Sequence, residues 1–288
     1  MSIFATILDG RKVVATLRHE MVEQVAIWKR RGIIPCLAVI EVGEDPASRV
    51  YIGAKKRACQ QVGIRFQRHA LPDTTGRVQL MELIHQCNAD ADIHGIIVQL
   101  PLPPSLDPVE IQAEIMVEKD VDGLTPTNLG RLAMGRPRLV PCTPRGIIEL
   151  LLRTGSELEG KHAVVVGRST LVGQPMAWLL MQQHATVTVC HSRTVDLSSH
   201  TGQADILVVA AGVPHLITGA HVKPGAVVVD VGIHRTPTGT LCGDVDFAAV
   251  SSLAAAITPV PGGVGPMTVA MLLSNTLLAV DAQYPSGC

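Results

Sequence analysis

The chain has 288 residues, 47% hydrophobic and 17% charged, enough to bury a large core and more than one typical domain of roughly 100–200 residues. Its 24 basic and 25 acidic residues leave a formal net charge of −1, which offers no polyelectrolyte footprint for nucleic acid or an anionic membrane and favours a small-molecule partner. The seven cysteines (Cys36, Cys59, Cys87, Cys142, Cys190, Cys242 and Cys288) are odd in number, scattered and never in a C-x-x-C pair, so neither a disulfide framework nor a metal site is encoded and the compartment should be reducing.

The N-terminal stretch has no basic region followed by an apolar run, and the longer apolar runs are broken by glycine, proline or charge, so a cytoplasmic protein is expected. In residues 9–31, Val13, Leu17, Met21, Val25 and Trp28 recur three to four apart, predicting a helix that Gly32 stops before a strand at 35–42. Asp45-Pro46-Ala47-Ser48 opens a second helix closed by Gly63, and 64–71 reads as a strand. A helix over 76–88 leads into His94-Gly-Ile-Ile-Val-Gln-Leu100, whose continuous apolar run suits a parallel strand buried on both faces. Punctuation follows at 100–104, 120–126 and 141–144, and a helix at 145–153 bridges to a second α/β pattern. There, strands at 161–166, 186–191, 205–210, 225–231 and 254–258 enclose helices at 172–183 and 195–202, a doubly wound sheet. A last apolar helix, 267–282, follows the glycine-rich 261–266 turn and is expected to fold back on the first domain. The predicted division is therefore residues 1–140 with 267–288, and residues 141–266.

After the strand ending at Val166, Gly167-Arg-Ser-Thr-Leu-Val-Gly173-Gln-Pro175 places glycines where backbone must approach a phosphate at a helix N-terminus. Serine at 169 departs from the G-x-G-x-x-G spacing, so this motif alone is also compatible with an ordinary tight turn. An NAD-selective site places an acidic residue roughly 20 residues beyond the first glycine. His191, Ser192 and Arg193 stand there instead and, with Arg168, suit a 2′-phosphate, so NADP is the favoured cofactor. Gly155-Ser-Glu-Leu-Glu-Gly160-Lys161 imitates a Walker A loop, but His162 replaces the magnesium-binding hydroxyl and the order is helix then strand, which excludes ATP hydrolysis there.

On the second helix Tyr51 and Lys55 share a face, while Lys56 lies about 140° from Tyr51, so geometry selects Lys55. A lysine that acts as a base near neutrality needs burial or positive neighbours, and Lys56 and Arg57 are candidates for the latter. Taken alone, this is also how a solvated basic face looks. Gln99 ends a predicted strand at the edge where open α/β sheets bind ligands. Of Asp120 and Asp122, one carboxylate could accept paired hydrogen bonds from an amino-substituted heterocycle, although turn aspartates are common. The eleven histidines show no metal-binding spacing.

Taken together, Tyr51-Ile-Gly-Ala-Lys55, Val98-Gln-Leu-Pro-Leu102, Lys119-Asp-Val-Asp-Gly-Leu124, Pro141-Cys-Thr-Pro144, Gly167-Arg-Ser169 with Val172-Gly-Gln-Pro175, Cys190-His-Ser-Arg193, Gly243-Asp-Val-Asp-Phe247 and Pro261-Gly-Gly-Val-Gly-Pro-Met-Thr268 resemble the ordered motifs of the bifunctional methylenetetrahydrofolate dehydrogenase/cyclohydrolases. The resemblance runs nearly the whole length. It implies two α/β domains flanking a cleft and joined by long helices, the second a Rossmann-like parallel sheet. It also implies NADP-dependent oxidation of 5,10-methylenetetrahydrofolate and hydrolysis to 10-formyltetrahydrofolate, serving one-carbon metabolism and purine biosynthesis, in a homodimer.

By the same resemblance Lys55 is the catalytic lysine, Tyr51 stacks on the folate, Gln99 hydrogen-bonds Lys55, and Asp122 anchors the pterin amino edge. Val98, Leu100, Pro261, Gly262, Gly263, Val264 and Gly265 would line the folate side, and Gly167, Arg168, Ser169, Ser192 and Ile233 would contact the dinucleotide. His234 stands where many members of the family carry asparagine. Two alternatives stay open: a dehydrogenase without cyclohydrolase activity, NAD-linked, and a silent dinucleotide-binding regulator. Comparing the two half-reactions separates the first, and substrate turnover the second.

Overall fold

The computed structural model describes residues 5–285; Cys288 and Met1 to Phe4 lie outside the described residues. In chain order the elements are β1 (Thr6–Ile7), α1 (Gly10–Arg30), β2 (Cys36–Val42), α2 (Pro46–Val62), β3 (Arg65–Leu71), α3 (Arg77–Ala89), β4 (Gly95–Val98), α4 (Pro108–Ala113), α5 (Pro126–Ala133) and α6 (Cys142–Arg153). Then come β5 (His162–Val166), α7 (Gly173–Gln182), β6 (Thr186–Cys190), α8 (Leu197–Thr201), β7 (Ile206–Val209), β8 (Val227–Asp230), β9 (His234–Arg235), β10 (Leu241–Cys242), α9 (Phe247–Val250), β11 (Ala256–Ile257) and α10 (Val264–Gln283).

The chain forms two compact α/β units, each with its own parallel sheet. One holds Ala15–Cys142 with residues 269–285 and has the sheet order β3-β2-β4. Its central strand β2 is buried at every position, and Ala38, Ile40, Ile96 and Val98 pack on Leu80 and Ile84 of α3. Continuous apolar sequence is what a strand covered on both faces requires. Past β4 the chain returns beside it: Ile96 forms a parallel bridge with Asp120, and its amide donates to Lys119 O at 2.7 Å. Beyond this bridge the chain turns, with Gly123 N donating to Asp120 O at 3.1 Å, and Asp122 stands in that turn.

The other unit holds residues 5–14 with Thr143–Thr268 and carries six parallel strands in the order β1-β11-β8-β7-β5-β6. Winding reverses at β5, which has β6 on one side and β7 on the other, so the switch point lies between β5 and β7. Val164, Val166, Leu207, Val209, Val228 and Ile257 form its core with Ile217, Val222 and Val250.

The predicted division fails at the N-terminus. Residues 5–14 were expected with the first domain, but β1 pairs in parallel with β11 at the edge of the six-stranded sheet, with Ala5 N donating to Ser251 O and Leu8 N to Ile257 O, both at 2.9 Å. A two-residue strand carries no periodic signal, so only its distant partner reveals it. Helix α10 begins at Val264, three residues before the expected start, because Pro266 is tolerated within a first turn whose amides need no helical partner. By length and mean hydropathy (1.3) α10 could cross a membrane, yet 61% of that stretch is buried inside the fold, as in a core helix.

Candidate active site

Helix α2 is capped by Asp45, whose carboxylate accepts from Ser48 N at 2.7 Å. Its inward stripe is Ile52, Lys55, Cys59 and Val62, so Lys55 occupies a position its neighbours mark as apolar. The lysine is 9% exposed, whereas Tyr51, one turn earlier, is 42% exposed. Lys55 Nζ donates to Gln99 Oε1 at 2.7 Å, and Gln99 Nε2 donates to Leu100 O at 2.6 Å, a carbonyl that also accepts from Ser48 Oγ at 3.3 Å. Burial lowers the Lys55 pKa below its usual value, opposed chiefly by the negative charge of Asp122. Lys56 and Arg57, expected to help lower it, are exposed, and burial is the only depressing influence on the amine.

The two aspartates divide the work. Asp120 is buried and spends both oxygens on the local turn, accepting from Gly123 N, Leu124 N, Thr125 N and Asn128 Nδ2 at 2.8–3.2 Å. Asp122 is half-buried; desolvation raises its pKa while the nearby Lys55 charge lowers it. The segment between them is held from α10, where Asn275 Nδ2 donates to Val121 O at 2.8 Å and Val140 O at 2.9 Å, while the Cys142 thiol reaches Val121 O at 3.3 Å. Asn275 and Ser48 were not foreseen; the signal available in the sequence was the polar Ser274-Asn275-Thr276 inside the apolar run of α10, where Asn275 proves fully buried.

In the six-stranded unit, Gly167 leaves β5 at φ 128°, and a Cβ there would meet Ala210 O at 2.2 Å. A Cβ on Gly173 would meet Gly167 O at the same 2.2 Å. Glycine at both points lets the β5 exit, the β7 exit and the α7 N-terminus close on one another, the geometry that admits a pyrophosphate to exposed backbone amides. Ser169 Oγ accepts from Val172 N and Gly173 N at 3.2 and 3.4 Å, which leaves its own proton to donate outward. Arg168, Ser192 and Arg193 are exposed, and no carboxylate ends β6. The next acid, Asp196, is spent capping α8, accepting from Ser198 Oγ and Ser199 N. A dinucleotide with a 2′-phosphate fits this edge.

Ile233, 45% exposed, adjoins the 261–265 turn, since a Cβ on Gly265 would lie 3.7 Å from Ile233 Cδ1. The Walker-like stretch from Gly155 to Lys161 borders a cavity of about 450 Å³ near the amino ends of β1, β7, β8 and β11, at the edge opposite Gly167. Its Gly155, Ser156, Gly160 and Lys161 amides are all bonded within the chain and form no phosphate cradle. Among the described residues, no group of three or more His, Cys, Asp or Glu is arranged to hold a metal ion.

A parallel sheet whose winding reverses at a glycine loop with a cationic strand end, accompanied by a unit that buries a hydrogen-bonded lysine amine, defines a dinucleotide-dependent α/β enzyme with acid–base capacity. The model of the tetrahydrofolate dehydrogenase/cyclohydrolase catalytic domain matches residues 8–122, and that of the NAD(P)-binding domain matches residues 141–284. The chain belongs to the tetrahydrofolate dehydrogenase/cyclohydrolase family. It is 52% identical to bifunctional protein FolD 2 of Geobacter metallireducens over 96% of both chains. The crystal structure of the bifunctional enzyme FolD from Campylobacter jejuni superposes with a TM-score of 0.95 at 46% identity, covering 97% of this chain and 99% of that one. FolD of Trypanosoma brucei, complexed with NADP cofactor and inhibitor, gives 0.94 at 41% identity, covering 99% and 100%.

Proposed function

We infer that the chain catalyses the NADP-dependent oxidation of 5,10-methylenetetrahydrofolate to the methenyl form and the hydrolysis of that form to 10-formyltetrahydrofolate. The observation that carries this reading is the buried Lys55 amine bonded to Gln99, in a chain whose two parts match the catalytic and NAD(P)-binding models of one family. When bound, NADP⁺ supplies the hydride acceptor. Departure of the hydride is driven by the lone pairs of the two flanking folate nitrogens, so this step asks the protein for positioning more than for a strong base.

Hydrolysis asks for proton transfer. Burial favours the neutral amine of Lys55, and Gln99 Oε1, accepting one of its protons, aims the lone pair. The amine takes a proton from water as its oxygen bonds the methenyl carbon; when the C–N bond breaks the amine returns that proton to the folate nitrogen, and the remaining hydroxyl proton leaves to solvent as the formyl C=O forms. Tyr51 offers an exposed ring one turn away for stacking, and Asp122 an acceptor for the pterin amino edge. Val98 and Leu100 line the folate. Gly167, Arg168, Ser169, Ser192 and Ile233 hold the dinucleotide, Arg168 and Ser192 nearest the 2′-phosphate.

The decisive experiment is the initial rate of NADP⁺ reduction with 5,10-methylenetetrahydrofolate, beside an identical reaction with NAD⁺. Folate-dependent reduction of NADP⁺ well above NAD⁺ is expected; no reduction with either would return the silent-binder reading. We also propose a cytoplasmic homodimer. None of the six described cysteines is joined in a disulfide, which supports a reducing compartment, and the edge strand β6, with Val189 40% exposed, offers a surface for self-association. Sedimentation of the native protein at the monomer mass would remove the dimer.

A further inference from the structure

His234 opens β9 directly after Ile233, and its Nε2 lies 2.7 Å from Asp244 Oδ1. Asp244 is fully buried, and its other oxygen accepts from Ala211 N at 2.7 Å and Gly212 N at 2.9 Å. Those two residues form the exit of β7, next to Ala210, whose carbonyl closes on Gly167 at the switch point. Asp244 is thus the clasp of the β7 exit, and its backbone amide is held in turn by Asp230 Oδ1 at 2.9 Å. The β8 exit comes to the same clasp: a Cβ on Gly232 would lie 2.3 Å from Asp244 Oδ1. Of the donors to this carboxylate, the two on Oδ2 are backbone, so the imidazole alone ties it to a side chain that substitution can remove.

We propose that His234 is a positioning residue for the dinucleotide. By donating to Asp244 it fixes the carboxylate that sets the Ala211–Gly212 backbone, and it anchors the β8 exit that presents Ile233. It touches no reacting atom, and its role rests on the dinucleotide reading above. Both loops it joins leave the carboxyl ends of adjacent strands, the edge on which that reading seats the cofactor.

The test compares His234→Gln, whose amide can place an N–H at about the reach of Nε2, with His234→Leu, which keeps bulk without a donor. His234→Ala, which removes the donor together with the ring, repeats the Leu comparison should Leu fail to fold. Three quantities are read on the full chain: the NADP⁺ Kd by titration, KM and kcat of the dehydrogenase, and the hydrolysis rate of supplied 5,10-methenyltetrahydrofolate without dinucleotide. Leu and Ala are expected to raise the NADP⁺ Kd and KM by about tenfold, the scale of one lost hydrogen bond, with kcat and hydrolysis within about twofold. Gln is expected to restore NADP⁺ binding. An unchanged Kd in Leu and Ala, failure of Gln to rescue, or an equal fall in hydrolysis would each overturn the role. Wild-type protein that does not bind NADP⁺ at all would overturn the parent reading instead.

Discussion

Lys55 sits where a helix of this pattern would ordinarily place leucine or methionine, and its bond to Gln99 and the charge of Asp122 compensate in part for the burial. Lys55→Ala should lower cyclohydrolase kcat by about 10²–10⁴, the usual worth of a positioned proton-transfer group, with folate binding nearly kept; near wild-type hydrolysis would remove its role. The sign of the pH dependence follows from the same environment. The active form is the neutral amine and burial lowers its pKa, so hydrolysis should rise with pH and level off before the ordinary lysine value of 10.5. Asp122 pulls the other way, so Asp122→Asn should move the inflection to lower pH when measured at saturating folate. Just past the edge strand β6 of the six-stranded unit, Ser192→Asp should repel a 2′-phosphate and accept ribose hydroxyls, shifting the ratio of NADP⁺ to NAD⁺ rates toward NAD⁺. An unchanged ratio in steady-state assays would count against that contact.

Among the elements, α10 has a task that its composition conceals. Its Asn275 is fully buried and holds the carbonyls of Val121 and Val140, one on each side of α5 in the chain. Asn275→Ala should cost about 1–3 kcal/mol, because both carbonyls lose a buried donor. It should also raise the folate KM through the Asp122 loop while leaving the NADP⁺ Kd unchanged; equal losses in both constants would mean general damage. The elements legible beforehand were those with long patterns: the stripes of α1 and α2, and the apolar runs of β2, β4, β5, β7 and β8. α4 and α5 went unread although each opens with the cap-then-proline signal of α2, Asp107-Pro108 and Thr125-Pro126, because neither is long enough to show a stripe. β1, β9 and β10 have two residues each, below any period, whereas the equally short β11 falls inside the strand expected at 254–258. At the site, the pairing of Lys55 with Tyr51 followed from helical spacing. The assignment of Asp120 to its turn did not, since neighbouring aspartates differ only in which amides reach them.

For the molecule as a whole, the chain passes between its two units within α1, at the first residues of α6, and within α10. Each passage is helical rather than a loose linker, so neither unit is a contiguous fragment. Removing residues 5–9 should therefore weaken NADP⁺ binding and lower the midpoint of thermal unfolding, with the gap from the intact protein wider when NADP⁺ is present in excess, since the ligand stabilises the tighter binder more. The Lys55–Gln99 pair lies in the other unit, so hydrolysis of supplied methenyltetrahydrofolate should outlast NADP⁺ reduction in that truncated protein. Parallel loss of both rates would show that the edge strand supports more than its own sheet.

The pairing of Thr6 with Ala256 also has a meaning in time. A ribosome releases β1 first among the strands of its sheet and β11 last, so β1 waits without its partner until all the other strands of that sheet have been made. During that interval the unit containing Lys55 has most of its sheet and helices available, lacking only α10, while the dinucleotide sheet still has an open edge. Synthesis from the N-terminus thus closes the cofactor sheet late. A nascent chain stalled before residue 256 cannot form the β1–β11 edge, whatever the supply of NADP⁺.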